Sequence, residues 1–115
     1  MKEIEAITNE LLRHLEKSRD RFLTNGKPEE DREFFMRVKK EADPVLDLLD
    51  EWEQGSLKLI ENGNSTLHTQ QIDSTKENMR TLLLHSYYRD VRKRRFMEMY
   101  KSCYYIYNQL IKELA

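Results

Sequence analysis

Residues 68–115 read HTQ QIDSTKENMR TLLLHSYYRD VRKRRFMEMY KSCYYIYNQL IKELA, a run with no glycine and no proline. One helix of that length would be a rod of about 70 Å at 1.5 Å per residue. No other stretch of the chain is long enough to cover it, so the rod must fold back on itself. The heptad pattern shows where. Ile72, Met79, Ser86, Lys93, Tyr100, Tyr107 and Leu114 share one seam, and Thr75, Leu82, Arg89, Phe96, Cys103 and Leu110 share the other. Both seams are mostly apolar except at Ser86, Arg89 and Lys93, which predicts a turn near Tyr88–Lys93 with Asp90 as cap of the helix that follows. From Phe96 onward an apolar arc covers about half the helical wheel: Phe96, Met97, Met99, Tyr100, Cys103, Tyr104, Ile106, Tyr107, Leu110, Ile111 and Leu114. An arc that wide faces more than one neighbouring helix.

The neighbours are upstream. Ile4, Ile7, Leu11, Leu15, Ser18 and Phe22 recur in steps of three and four, predicting a helix from Lys2 to Leu23 ended by Asn25-Gly26, with Gly26 in the left-handed cap conformation. Pro28-Glu29-Glu30-Asp31 reads as the next helix start, since proline suits a first turn and acids oppose the positive end of the helix dipole. Phe34, Phe35, Val38 and Ala42 form its apolar face. Asp43-Pro44 predicts a kink, or a fresh start capped by Asp43. Val45, Leu48, Leu49, Trp52, Leu59 and Ile60 continue the stripe to Glu61, with Gly55 and Ser56 where a neighbouring helix can pack close. Residues 62–66, Asn-Gly-Asn-Ser-Thr, are a loop. The fold expected is all-α: an antiparallel four-helix bundle of helices Lys2–Leu23, Glu29–Glu61 kinked at Asp43-Pro44, His68–Tyr88 and Val91–Leu114, in one domain spanning residues 1–115. Trp52, Phe96 and Tyr100 should be buried.

Composition agrees. With 3 Gly and 2 Pro in 115 residues there is little chain for turns, and 36% charged residues cover the outer faces. Twenty Lys and Arg nearly balance 21 Asp and Glu, so no global charge pulls the chain to nucleic acid or an anionic membrane. The single cysteine forms no internal disulfide. The amphipathic N-terminus is not a signal peptide and no run is long enough to span a membrane, so a soluble, cytoplasmic protein is expected.

At this point the chain resembles the YppE-like family, small helical proteins of Bacillus-type bacteria classed as a domain of unknown function. The residues that carry the resemblance are Phe34-Phe35, Val38-Lys39, Trp52, Gly55, Leu57, Leu59-Ile60, His68, Gln71-Ile72, Lys76, Asn78, Ser86-Tyr87 and Lys93-Arg94-Arg95-Phe96, in order over about two-thirds of the chain. The resemblance implies a four-helix bundle and brings no activity with it.

Sites of chemistry are scarce. Bundle di-iron centres use Glu-x-x-His pairs; the residues three before His14, His68 and His85 are Leu11, Ser65 and Leu82. Glu30/Glu33 and Asp47/Asp50 have a spacing that could serve Mg²⁺ in a phosphohydrolase, yet the second pair points away from the apolar stripe. Cys103 lies inside the apolar arc, where a thiolate is disfavoured. Lys76 falls between Ile72, Met79 and Leu83, so its stem should pack there and its ammonium reach an acid at the edge. Two features remain. Arg89, Arg92, Lys93, Arg94 and Arg95 crowd the predicted turn after Tyr87 and Tyr88, a candidate anion or nucleic-acid patch. Tyr105 is a lone aromatic in the polar arc of the last helix, a candidate partner contact. The function expected is a non-enzymatic binding or adaptor module with an unknown protein partner, no cofactor and no metal, present as a monomer or weak homodimer. The alternative is a small nucleotide- or nucleic-acid-binding protein, or a metal-dependent phosphohydrolase using the acidic pairs.

Overall fold

The computed structural model describes residues 3–115, in which α1 (Ile4–Thr24), α2 (Arg32–Glu61), α3 (Thr69–Tyr88) and α4 (Lys93–Leu114) are joined by short loops. The start expected at Lys2 lies outside the described residues; Glu3 stands at the N-cap of α1. Contacts between early and late parts of successive helices give the up-and-down order. Trp52, late in α2, donates through Nε1 to Thr8 Oγ1, early in α1, at 3.1 Å. Tyr87, at the end of α3, donates to Glu41, early in α2, at 3.0 Å. Arg19, late in α1, donates to the Tyr100 hydroxyl in the first half of α4 at 2.7 Å.

The packing is rhombic rather than square. α1 and α3 form the short diagonal. α2 and α4 stand on opposite sides of that pair, with no Cα atoms within 8 Å of each other. Only side chains cross the gap: the Trp52 and Tyr107 rings meet edge to face with centroids 5.2 Å apart. Leu11, Leu15, Trp52, Ile72, Met79, Leu82, Phe96, Tyr107 and Leu110 are fully enclosed, and Tyr100 is nearly so. Phe22 and Phe96 stack face to face at 4.0 Å near the other end.

Local signals differ from expectation at three places, and at Asp43-Pro44 one of the two outcomes left open is excluded. Asp43-Pro44 does not begin a new helix: α2 runs through it for 30 residues, because Ala42, Val45, Leu48 and Leu49 on both sides of the proline bury one continuous stripe. Pro44 itself is on the exposed side, where water can take the carbonyl that loses its partner. The start of α2 comes three residues later than Glu29, since Asp31 is the residue whose carboxylate accepts the Phe34 N–H, at 2.9 Å. Gly26 is not a left-handed cap; α1 ends at Asn25 in extended geometry. Finally, α4 begins at Lys93 rather than Val91, and Asp90 does not cap it: its carboxylate pairs with His85 Nδ1 on α3 instead. The turn itself is where the seam analysis put it, with Arg89 in left-handed geometry (φ 58°) closing α3.

Candidate functional site

The basic turn divides into a structural residue and an exposed group. Arg89 is folded inward: it donates to the Asn25 carbonyl and lays its guanidinium 4.6 Å from the Phe22 ring centre, pinning the α3–α4 turn to the end of α1. Arg92, Lys93, Arg94 and Arg95 are all exposed. They occupy the cap and first turn of α4, where no acid stands and no side chain caps the helix. Cations at the positive end of a helix dipole are destabilising. Arg94 has an ion pair with Glu98 at 3.5 Å, and its side chain is 93% exposed, so that pair contributes little.

The tyrosines before this turn do not form a free stacking platform. Tyr87 is buried under Arg21, whose guanidinium sits 4.0 Å from the ring centre. Burial, aided by the Glu41 carboxylate, pushes its hydroxyl up to about 12. Tyr88 packs against Phe34 and Phe35, at 5.2 and 6.2 Å between ring centres. Ser86, one of the three polar residues that marked the turn, is fully buried. It accepts from Arg21 at 2.7 Å and donates to the Leu83 carbonyl at 2.6 Å.

Tyr105 is 65% exposed, and Tyr104, expected in the apolar arc, is 45% exposed, with its ring stacked on Tyr100. Arg94, Glu98, Lys101, Tyr105 and Lys112 follow helical steps that set them in one line along α4, all exposed. Beside this line an open hollow of about 660 Å³ runs between α3 and α4, lined by Tyr105, Lys101, Ser102, Gln71, Ser74 and His68. Of the exposed residues of α4, Lys93, Arg94, Arg95, Lys101 and Lys112 are cationic and only Glu98 is acidic.

The remaining candidates are dispersed. Lys76 Nζ pairs with Glu53 at 2.8 Å and Asp50 at 3.0 Å, and the Glu53 hydrogen bond foremost raises its pKa, as expected of a lysine whose stem packs and whose ammonium reaches an acid. Glu33 and Asp47 are both exposed and stand about 21 Å apart along α2. Among the described residues no three of His, Cys, Asp and Glu come together as a group able to hold a metal. Burial pushes the Cys103 thiol up to about 12, with Thr75's carbonyl 3.7 Å away. Gly55 is explained by packing: a Cβ there would stand 2.9 Å from Ile4 Cδ1. No helix among the described residues is long and apolar enough to cross a membrane.

The model of a bacterial domain of unknown function, DUF1798, matches residues 8–114. The chain belongs to the DUF1798 family. This DUF1798 chain is 27% identical over 110 residues to the uncharacterized protein YppE of Bacillus subtilis (strain 168), covering 95% of this chain and 89% of that one. Its fold matches the crystal structure of B. subtilis YppE with a TM-score of 0.80 at 24% identity, covering 96% of this chain and 91% of that one. It matches the solution NMR structure of the same protein with a TM-score of 0.82 at 26% identity, covering 98% and 94%. The resemblance read from the sequence is therefore a family membership. The function of the family is unknown, and neither its description nor that relative's name assigns an activity.

One group in this DUF1798 member was not legible from the sequence. Phe35, expected on the apolar face with Phe34, is 46% exposed, and Met36 and Leu23 are exposed at 62% and 45%. Adjacent helical residues are buried together at Leu48-Leu49 and Leu82-Leu83, so the adjacency of Phe34 and Phe35 carries no signal of Phe35's exposure.

Proposed function

We propose that the chain works as one helical domain, a non-enzymatic binding or adaptor module of the cytoplasm that docks an acidic protein surface with the outer strip of α4. The observation that carries this reading is the composition of the exposed residues of α4: five cations and two tyrosines against one acid, three of the cations on the outer strip itself, on a chain whose net charge is −1. Charge of one sign gathered on one helix face steers an oppositely charged partner. Tyrosines there supply large contact area with few torsions to fix. The lone cysteine, with no disulfide to form, supports the location.

Nucleic acid is the second reading, favoured by the same cations and weakened by the inward packing of Tyr87. The test is affinity capture of the tagged protein from its own cells, with wild type beside Lys101→Glu and Tyr105→Ala, both of which should stay folded. A specific acidic protein retained by wild type and lost from both variants supports the reading. Identical captures from all three would refute it. A salt-steep gel shift with DNA or RNA, abolished when Arg92, Lys93, Arg94 and Arg95 become Glu, would move the assignment to nucleic acid.

A further inference from the structure

One end of the bundle carries the 25–31 loop, the 89–92 turn and the N-termini of α2 and α4. Among the described residues, three of the five exposed large hydrophobic side chains, Leu23, Phe35 and Met36, belong to the last turn of α1 or the first turns of α2 at this end. The same end holds the densest runs of like charge. Glu29, Glu30, Asp31 and Glu33, against Lys27 and Arg32, make an acidic lip at α2. Arg92, Lys93, Arg94 and Arg95 make a basic lip at α4. Side chains of a helix lean toward its N-terminus, so the first-turn residues of both helices lean toward this end. Among the described residues no ion pair engages Glu29, Glu30, Glu33, Arg92, Lys93 or Arg95.

The two lips cannot neutralise each other within one molecule, because α2 and α4 lie on the long diagonal of the bundle. They can between two molecules. A two-fold axis crossing the bundle axis and lying along the α1–α3 diagonal stacks two copies end to end. It places the acidic lip of each on the basic lip of the other, which is the reciprocal pairing an isologous interface requires. We propose that this end is a self-association surface and that its occupant is a second copy of the chain, with Phe35 and Met36 covered between the lips. The strip of Lys101, Tyr104, Tyr105 and Lys112 stays open in such a dimer, so the proposal goes beyond the binding reading above.

Size sets its strength. The molecule measures 47 × 30 × 21 Å, and an end of that cross-section offers a footprint of about 500 Å², below the about 800 Å² per partner of a standard stable interface. The dimer is therefore weak, concentration-dependent and sensitive to salt, in line with a small contact held largely by exposed charge.

Sedimentation equilibrium over a concentration series up to about 1 mM, comfortably above the dissociation constants of weak contacts, tests it with three chains. The first is wild type. The second reverses the acidic lip (Glu29→Lys, Glu30→Lys, Glu33→Lys), keeping Asp31 because it caps α2. The third reverses the basic lip (Arg92→Glu, Lys93→Glu, Arg95→Glu), keeping Arg89 because it pins the turn. Wild type should dimerise and lose most of its dimer from about 0.1 M to about 1 M salt, where the screening length falls from about 10 Å to about 3 Å. Each reversed chain alone should associate at least about tenfold more weakly, since like charges then face each other. An equal mixture of the two should recover association, because every reversed lip meets its complement. Replacing the basic lip with acids should also raise the melting temperature, since acids suit a helix N-terminus. Association falling while stability rises separates a contact role from a folding role. Should the acidic-lip chain fail to fold, Phe35→Ser takes its place, with the same expected loss of dimer. Wild type that is monomeric throughout at low salt overturns the proposal, as do reversed chains that associate like wild type or a mixture that stays monomeric. The binding reading fails separately, through captures unaffected at Lys101 and Tyr105.

Discussion

The two ends of the bundle are made of the same helices and finished in different ways. At the end that carries residues 62–68, side chains of the loop and of α4 hold one another, although the buried hydroxyls of Ser56 and Tyr107 nearby have no hydrogen-bond partner among the described residues. Glu113 near the end of α4 accepts from Ser65 Oγ and Thr66 Oγ1, both at 2.8 Å, and from the Thr66 N–H. Gln71 accepts the His68 N–H at 2.8 Å, closing the start of α3, and Leu67 is buried under the loop. Just inside lies the Trp52–Thr8–Tyr107 contact. At the opposite end the interior is equally filled, by Phe22 on Phe96, yet the surface keeps unpaired charge and open aromatic area. The loop side chains at one end are thus held by their own chain, whereas Arg92, Lys93 and Arg95 at the other end form no ion pair among the described residues.

The contrast can be broken by measurement. Trp52→Ala should have the largest effect, about 3–5 kcal/mol of lost stability in denaturant unfolding, because the ring is fully enclosed and joins three helices. A loss under about 1 kcal/mol would put the ring outside the core. Glu113→Ala should come next, at about 1–2 kcal/mol, as the loss of a charged acceptor that holds a loop. Burial alone would raise the Glu113 pKa, but the hydrogen bonds from Ser65 and Thr66 outweigh it and lower the value below the ordinary 4.5. Its contribution is therefore complete above that ordinary value and disappears as pH falls through the lowered folded value. Glu113→Gln should flatten the acid limb of the stability curve in that window; an unchanged limb would show that the clamp carries no proton linkage. Phe35→Ser, which removes a half-buried ring packed on Tyr88, should cost about 1 kcal/mol. A loss above about 2 kcal/mol for Phe35→Ser would mean that the open end is core after all. Lys76→Met should cost under about 1 kcal/mol, since Asp50 and Glu53 hold the ammonium at a partly exposed edge. Tyr105→Ala, smallest of all, should stay within about 0.5 kcal/mol.

Much of this architecture could be read from the sequence, sometimes by a route that the structure revises. Four helices and the turn at residues 89–92 follow from periodicity, because the apolar stripes are long. The polar run that located the turn includes Ser86, which is buried, so the position was right although one of its three markers faces the core. Caps were less legible. Gly26 and Asp90 carry the residue types of caps, but Asn25 stands at the C-cap of α1 and Arg92, without a side-chain hydrogen bond, at the N-cap of α4. The basic patch was legible as composition and not as geometry: nothing in the order of residues says that Arg89 turns in over Phe22 while Arg92–Arg95 remain out. The pairing of Phe35 with Tyr88 joins residues more than fifty positions apart, which one-dimensional periodicity does not encode.

Cys103 gives the molecule a built-in clock. Its sulfur is sealed between α4 and α3, and its thiol holds its proton far above neutral pH. A thiol reagent can therefore capture it only during excursions in which α4 lifts from the bundle, and the rate of capture counts those excursions. Because one sulfur reports for one helix, the same count taken with a partner bound to α4 would show by how much that partner holds the helix shut.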